Sequence, residues 1–162
     1  MFYLALTVFA ALIVAIDQWT KYLAAVHLTG RTLELIPGWL QLHYLTNDGM
    51  ALSMLRGGRW LFVAVAVVFL ALVIWAIAKK HIYKKAELWC IAAIVGGAIG
   101  NLIDRIATGL VIDMICVPWF STFNVADIFI TVPAVILVVY VLFFDKDFLS
   151  DKPKEQNHDS DG

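Results

Sequence analysis

The sequence predicts an all-α membrane protein of four transmembrane helices: a single domain over residues 1–144, followed by a polar tail over residues 145–162. Two observations carry this. The 162-residue chain is 62% hydrophobic and only 15% charged, whereas about a quarter of a soluble domain is charged. A surface so poor in charge does not stay dissolved. In addition, residues 60–78 run without one charged side chain, and at about 1.5 Å per residue such a run nearly spans the hydrocarbon core of a bilayer. The formal net charge of −1 gives no electrostatic case for nucleic-acid binding.

The elements follow in order. Residues 1–26 are apolar except for Asp17, Gln18 and Lys21. They lack a basic leading region and a small-residue cleavage pattern, so a retained helix is expected rather than a cleaved signal peptide. Residues 33–45, LELIPGWLQLHYL, alternate around Pro37 and Gly38 and read as a short hairpin on the membrane surface. The second span carries Trp60 and Trp75 near its ends, where aromatic rings favour the interface. Next comes KKHIYKK, with four lysines in seven residues. Basic short loops stay in the cytoplasm, so both termini are expected inside. Residues 27–59 and 105–126 are then extracytoplasmic. The third span lies between Glu87 and Asp104, the fourth between Asp127 and Asp145. The tail is rich in both charges and reads as disordered.

Charged groups within or beside spanning helices cost about 2.5–3.5 kcal/mol each at the centre and invite a functional reading. Asp17 and Lys21, four apart, share a helix face and read as a structural ion pair. GGAIGNLIDR, residues 96–105, pairs Gly96 with Gly100, which admits a close neighbouring helix. Asn101, Asp104 and Arg105 follow. A carboxylate beside a guanidinium stays ionised, so Asp104 and Arg105 read as scaffold.

Asp113 and Asp127 sit in apolar stretches, GLVIDMICVPW and FNVADIFI. Two such carboxyl groups brought together cannot both ionise cheaply, and a shared proton suits acid–base activation of water. On spacing alone a plainer reading stands beside this one: Asp127 as a helix cap and Asp113 as a turn residue. His27, His43, His81 and His158 have no metal-ligand spacing, and Ser53 and Ser121 have no paired base in sequence. Cys90 and Cys116 form neither a zinc nor a redox pattern. No metal and no cofactor is expected.

Four segments, in order, resemble the motifs of prolipoprotein signal peptidases: DQWTK at 17–21, NDGMALS at 47–53, GGAIGNLIDR with G-x-V-x-D at 109–113, and FNVAD at 123–127. The resemblance implies a peptidase of the bacterial inner membrane that cuts diacylglyceryl-modified prolipoproteins before the lipidated cysteine, near the extracytoplasmic face. It implies Asp113 and Asp127 as the catalytic pair, without metal or cofactor. Asn47, Gly49, Asn101, Arg105 and Asn124 match residues that position substrate and dyad. A small extracytoplasmic β-cradle would come from residues 33–53, and part of residues 114–122 would belong to a mobile outer segment. The family's partners are the lipidated substrate and membrane lipid, and it works as a monomer.

Met114 and Leu52 stand where the family often has Phe, and thirteen residues separate the two aspartates, which implies a reduced lid. The rival readings are a non-enzymatic ion- or proton-pathway subunit, with carboxylates strung along the membrane normal, and an inactive relative that binds lipoproteins without cutting them.

Overall fold

A computed structural model describes residues 1–48, 58–80 and 82–144. Four helices cross the length of the molecule: α1 (Phe2–His27), α2 (Arg59–Ala78), α3 (Lys85–Ala107) and α4 (Val125–Phe143). Each is long and apolar enough to span a bilayer. Between them lie β1 (Thr32–Ile36), β2 (Leu40–Asn47), β3 (Val111–Val117) and β4 (Ser121–Phe123).

Helix α3 is the hub. Its Ile91, Ala93, Ile94, Gly96 and Gly100 are buried, while α1, α2 and α4 turn most of their large apolar side chains outward. Lipid tails are as apolar as those side chains, so close packing must hold the helices together. Glycine provides it. A Cβ on Gly96 would come within 2.9 Å of the Ala10 carbonyl oxygen on α1, and one on Gly97 within 2.5 Å of the Ala126 carbonyl oxygen on α4. The Gly96–Gly100 face thus receives α1, as expected, and Gly97 receives α4. Helix α2 packs on α3 through Val73, Ile91 and Ile94.

The strands form one antiparallel sheet in the order β1-β2-β3-β4. The expected hairpin is present as β1 and β2, residues 49–53 of the expected cradle lying outside the described residues, but this hairpin is only half of the sheet. The other half comes from the stretch expected to belong to a mobile outer segment, which pairs along β2 as β3 and turns back as β4. The reason is the price of unpaired backbone beside a membrane: strand pairing satisfies the N–H and C=O groups of a short connection. The two hairpin tips lie side by side, with Trp39 and Trp119 in edge contact at 5.7 Å between ring centroids.

Candidate active site

Asp113 lies in β3, and Asn47 ends β2. Leu42 pairs with Ile115, whereas Leu45 pairs with Asp113 and Asn47 with Val111. Between these pairs β2 holds one residue more than β3, which is a β-bulge. Side chains alternate between faces with period two, so Asn47, two residues beyond Leu45, shares the face of Asp113. Its Nδ2 donates to Asp113 Oδ2 at 2.9 Å.

Asp127 is positioned by a helix start. Asn124 caps α4: its Oδ1 accepts the Asp127 N–H at 3.0 Å, and Asp127 Oδ2 accepts the Asn124 N–H at 3.1 Å. This reciprocal capping box satisfies two backbone donors. With Oδ1 so engaged, the Asn124 amide presents Nδ2 to Asp113 Oδ1 at 2.7 Å. The same nitrogen donates to Asn101 Oδ1 at 3.1 Å, and Asn101 Nδ2 donates to Asp127 Oδ1 at 2.8 Å. One chain of asparagine amides therefore joins the two aspartates. Asp127 does act as a cap residue: its Oδ2 accepts the Asn124 N–H, while Asp113 lies in a strand rather than a turn.

The environments differ. Asp113 is 2% exposed and Asn124 fully buried. Asp127 is partly exposed and borders a cavity of about 330 Å³ lined by Phe62, Phe69, Ala98, Arg105 and Ile130. Burial pushes the Asp113 carboxyl above the ordinary carboxylate range. The Asn47 hydrogen bond opposes this, the negative charge of Asp127 adds to it, and Asn124 and Lys21 oppose it. On the other side of β3, buried Met114 lines a second apolar cavity with Leu23, Leu42 and Val125.

Lys21 does pair with Asp17, at 2.8 Å, and it also meets Asp104 at 2.9 Å and Asn101 Oδ1 at 3.0 Å. Asp17 reaches across to α4, where its Oδ1 accepts the Ala126 N–H at 2.9 Å. Asp104 is braced as a scaffold residue, but not by its neighbour. Among the described residues no ion pair joins it to Arg105. Successive side chains on a helix point about 100° apart, so Asp104 faces α1 while Arg105 faces α2, its guanidinium 5.1 Å from the Phe62 ring centroid. Arg105 also donates to the Asn101 carbonyl at 3.4 Å.

Gly49 lies outside the described residues. Gln18 had no role from sequence; its Nε2 donates to the Gly100 carbonyl at 3.1 Å and to Asp104 Oδ1 at 2.9 Å. The available signal was an uncharged polar side chain inside a spanning segment. Cys90 and Cys116 are free thiols.

Four spanning helices, a small sheet and two aspartates held in an asparagine lattice define a polytopic membrane protein with a polar cluster at one end of its bundle. Residues 9–143 match the family model of signal peptidase (SPase) II, and the chain belongs to that family. It is 38% identical over 144 residues to the lipoprotein signal peptidase of Symbiobacterium thermophilum, covering 86% of this chain and 95% of that one. It is 37% identical over 142 residues to the enzyme of the same name from Enterococcus faecalis, covering 85% and 87%. Two solved structures, described as bacterial membrane enzymes crystallised in meso at 2.3 Å and 1.9 Å resolution, each superpose with a TM-score of 0.78. Their identities are 30% and 32%; the first match covers 92% of this chain and 93% of that one, the second 87% and 94%.

Proposed function

We propose that the chain is a membrane-embedded aspartic endopeptidase that removes the signal peptide from diacylglyceryl-modified prolipoproteins, cutting before the lipidated cysteine, with Asp113 and Asp127 as its catalytic pair. One observation carries the reading: two carboxyl groups from different elements hang from a single chain of asparagine amides, and one of them opens onto an apolar cavity.

Asp113, whose carboxyl keeps its proton to a higher pH, acts first as acid. Asp127 acts first as base. A water loses a proton to Asp127 as its oxygen bonds to the scissile carbonyl carbon, while Asp113 gives its proton to the carbonyl oxygen. This yields a gem-diol. Asp127 then protonates the leaving nitrogen, the C–N bond breaks, and one gem-diol hydroxyl returns its proton to Asp113. Asn47, Asn101 and Asn124 hold the pair, and Arg105, with Asn47 and Gly49, grips the substrate backbone. The reaction uses no metal and no cofactor.

Residues 1–144 act as one peptidase domain in the bacterial inner membrane, as a monomer in contact with lipid. Residues 27–59 and 105–126 face outward, and the tail over 145–162 faces the cytoplasm. A proton or ion pathway would string its carboxylates along the bundle. Asp17, Asp104, Asp113 and Asp127 instead share one cluster linked through Lys21, Asn101 and Asn124, which favours the peptidase.

The test uses purified protein in detergent and a diacylglyceryl prolipoprotein. Asp113→Asn and Asp127→Asn are each expected to lower the rate by at least about a hundredfold, as removal of a general acid or base does. Cleavage by either at the wild-type rate refutes the mechanism, and no cleavage by wild type points to a binding relative.

A further inference from the structure

The mechanism above leaves one buried cation unused. Lys21 is 2% exposed, and its Nζ already has two carboxylate partners in Asp17 and Asp104. Its third contact, at 3.0 Å, is to an amide oxygen, Asn101 Oδ1. An ammonium has three donors and no acceptor, so it tolerates only the oxygen end of an amide. With Oδ1 turned to Lys21, Asn101 must turn Nδ2 toward Asp127. A reversed amide would set its oxygen against the Asp127 carboxylate and its N–H groups against the ammonium. Asn124 Nδ2 favours the same orientation of Asn101, but a hydrogen bond from a charged donor is roughly twice as strong as a neutral one.

We propose that Lys21 is a positioning residue of the peptidase: from behind the site it sets the direction of the Asn101 amide, so that both aspartates are met by N–H donors. The proposal rests on the reading of Asp113 and Asp127 as the catalytic pair. The charged groups that face Lys21 are Asp17 on its own helix and Asp104 on α3, and its charge also reaches Asp113 on β3. The Lys21 charge also holds the Asp113 carboxyl lower than burial alone would.

The decisive variant is Lys21→Met combined with Asp17→Asn. It removes the cation yet leaves the net charge of Lys21, Asp17 and Asp104 unchanged. Cleavage of a diacylglyceryl prolipoprotein peptide is followed against pH, with thermal unfolding in detergent as the fold control. The expected result is a folded protein with KM nearly unchanged, kcat lower by about ten- to a hundredfold, the usual range for losing a supporting hydrogen-bond partner, and an acid limb moved to higher pH, because the carboxylate serving as base loses an N–H donor. Wild-type kcat and an unmoved limb overturn the proposal. So does a fall in kcat with the limb unmoved, which assigns Lys21 to packing. If the double variant does not fold, Lys21→Met combined with Asp104→Asn, which likewise removes the donor at unchanged net charge, is read in the same way; if that also fails to fold, Lys21 belongs to the scaffold and the proposal is wrong. Asp113→Asn and Asp127→Asn run alongside: activity in either brings down the dyad reading, whereas two inert variants beside a wild-type-like Lys21 variant sink this inference alone.

Discussion

At the scale of single residues, Asp113 accepts N–H groups from Asn47 and Asn124 and still has its carboxyl raised by burial. Hydrogen bonds to the ionised form lower a carboxyl pKa, so removing one raises it. Asn47→Leu is therefore expected to move the alkaline limb of the kcat profile to higher pH and to lower kcat, and a pH–rate series checks it. The same elevation links folding to pH. A raised carboxyl pKa means that the folded state holds more protons than the unfolded one between the two pKa values. That contribution is complete below the unfolded pKa and is lost as pH rises through the folded one, by about 1.4 kcal/mol per unit of elevation. The melting temperature of wild type should fall across that window, and Asp113→Asn should flatten the fall.

Among the elements, the bulge in β2 does the positioning. Leu42 pairs with Ile115 and Leu45 with Asp113; were pairing to run on regularly from Leu42 with no bulge, Asp113 would oppose Tyr44, leaving Asn47 on the other face. A one-residue change of register moves every later side chain across a sheet. Deleting Thr46, which keeps Leu45 opposite Asp113 but sets Asn47 opposite Ile112 on the other face, should thus abolish cleavage as fully as losing Asn47, with the four helices still folded by circular dichroism. Helix packing carries a similar sensitivity. Any Cβ at Gly97 meets the backbone of Ala126, one residue before Asp127. Gly97→Val should destabilise the protein by about 1–3 kcal/mol, as overpacking does, and lower kcat by displacing the start of α4; thermal melts and kinetics test the two effects together.

For the whole molecule, the site sits where the second half of α1, the end of α3 and the start of α4 meet the sheet. Trp39, Trp119 and Phe120 project at the neighbouring hairpin tips and are exposed. Aromatic rings favour the level of the lipid headgroups, so these tips are expected to rest in the interface. Replacing Trp39 and Trp119 by Ser should reduce quenching of tryptophan fluorescence by shallow brominated lipids in nanodiscs. The proposed orientation puts Thr29 outside the cell and Lys80 inside. With Cys90 and Cys116 replaced by Ser, a cysteine at Thr29 should react with an impermeant maleimide from outside the cell and one at Lys80 should not.

Much of this was legible in the sequence because lipid imposes a simple rule. Backbone groups must pair internally and charges are costly, so uncharged runs announce the spans and stray polar residues announce the site. Residues 60–78, the polar trio Asp17, Gln18 and Lys21, and the aspartates near the span ends could all be read from one line of residues. Which polar group meets which could not. Asp104 stands beside Arg105 in sequence but pairs with Lys21, eighty-three positions earlier, because helix geometry separates neighbours and packing on Gly96 and Gly100 brings α1 close. Likewise NDG and FNVAD name an asparagine and an aspartate each, but only the bulge in β2 and the cap of α4 turn Asn47 and Asn124 onto Asp113. Composition and periodicity determined a four-span membrane protein, and motif resemblance named its aspartates. The tertiary structure alone decided which atoms of Asn47, Asn101 and Asn124 meet them and that a buried lysine stands behind Asn101, because hydrogen-bond direction depends on which atoms face one another in space.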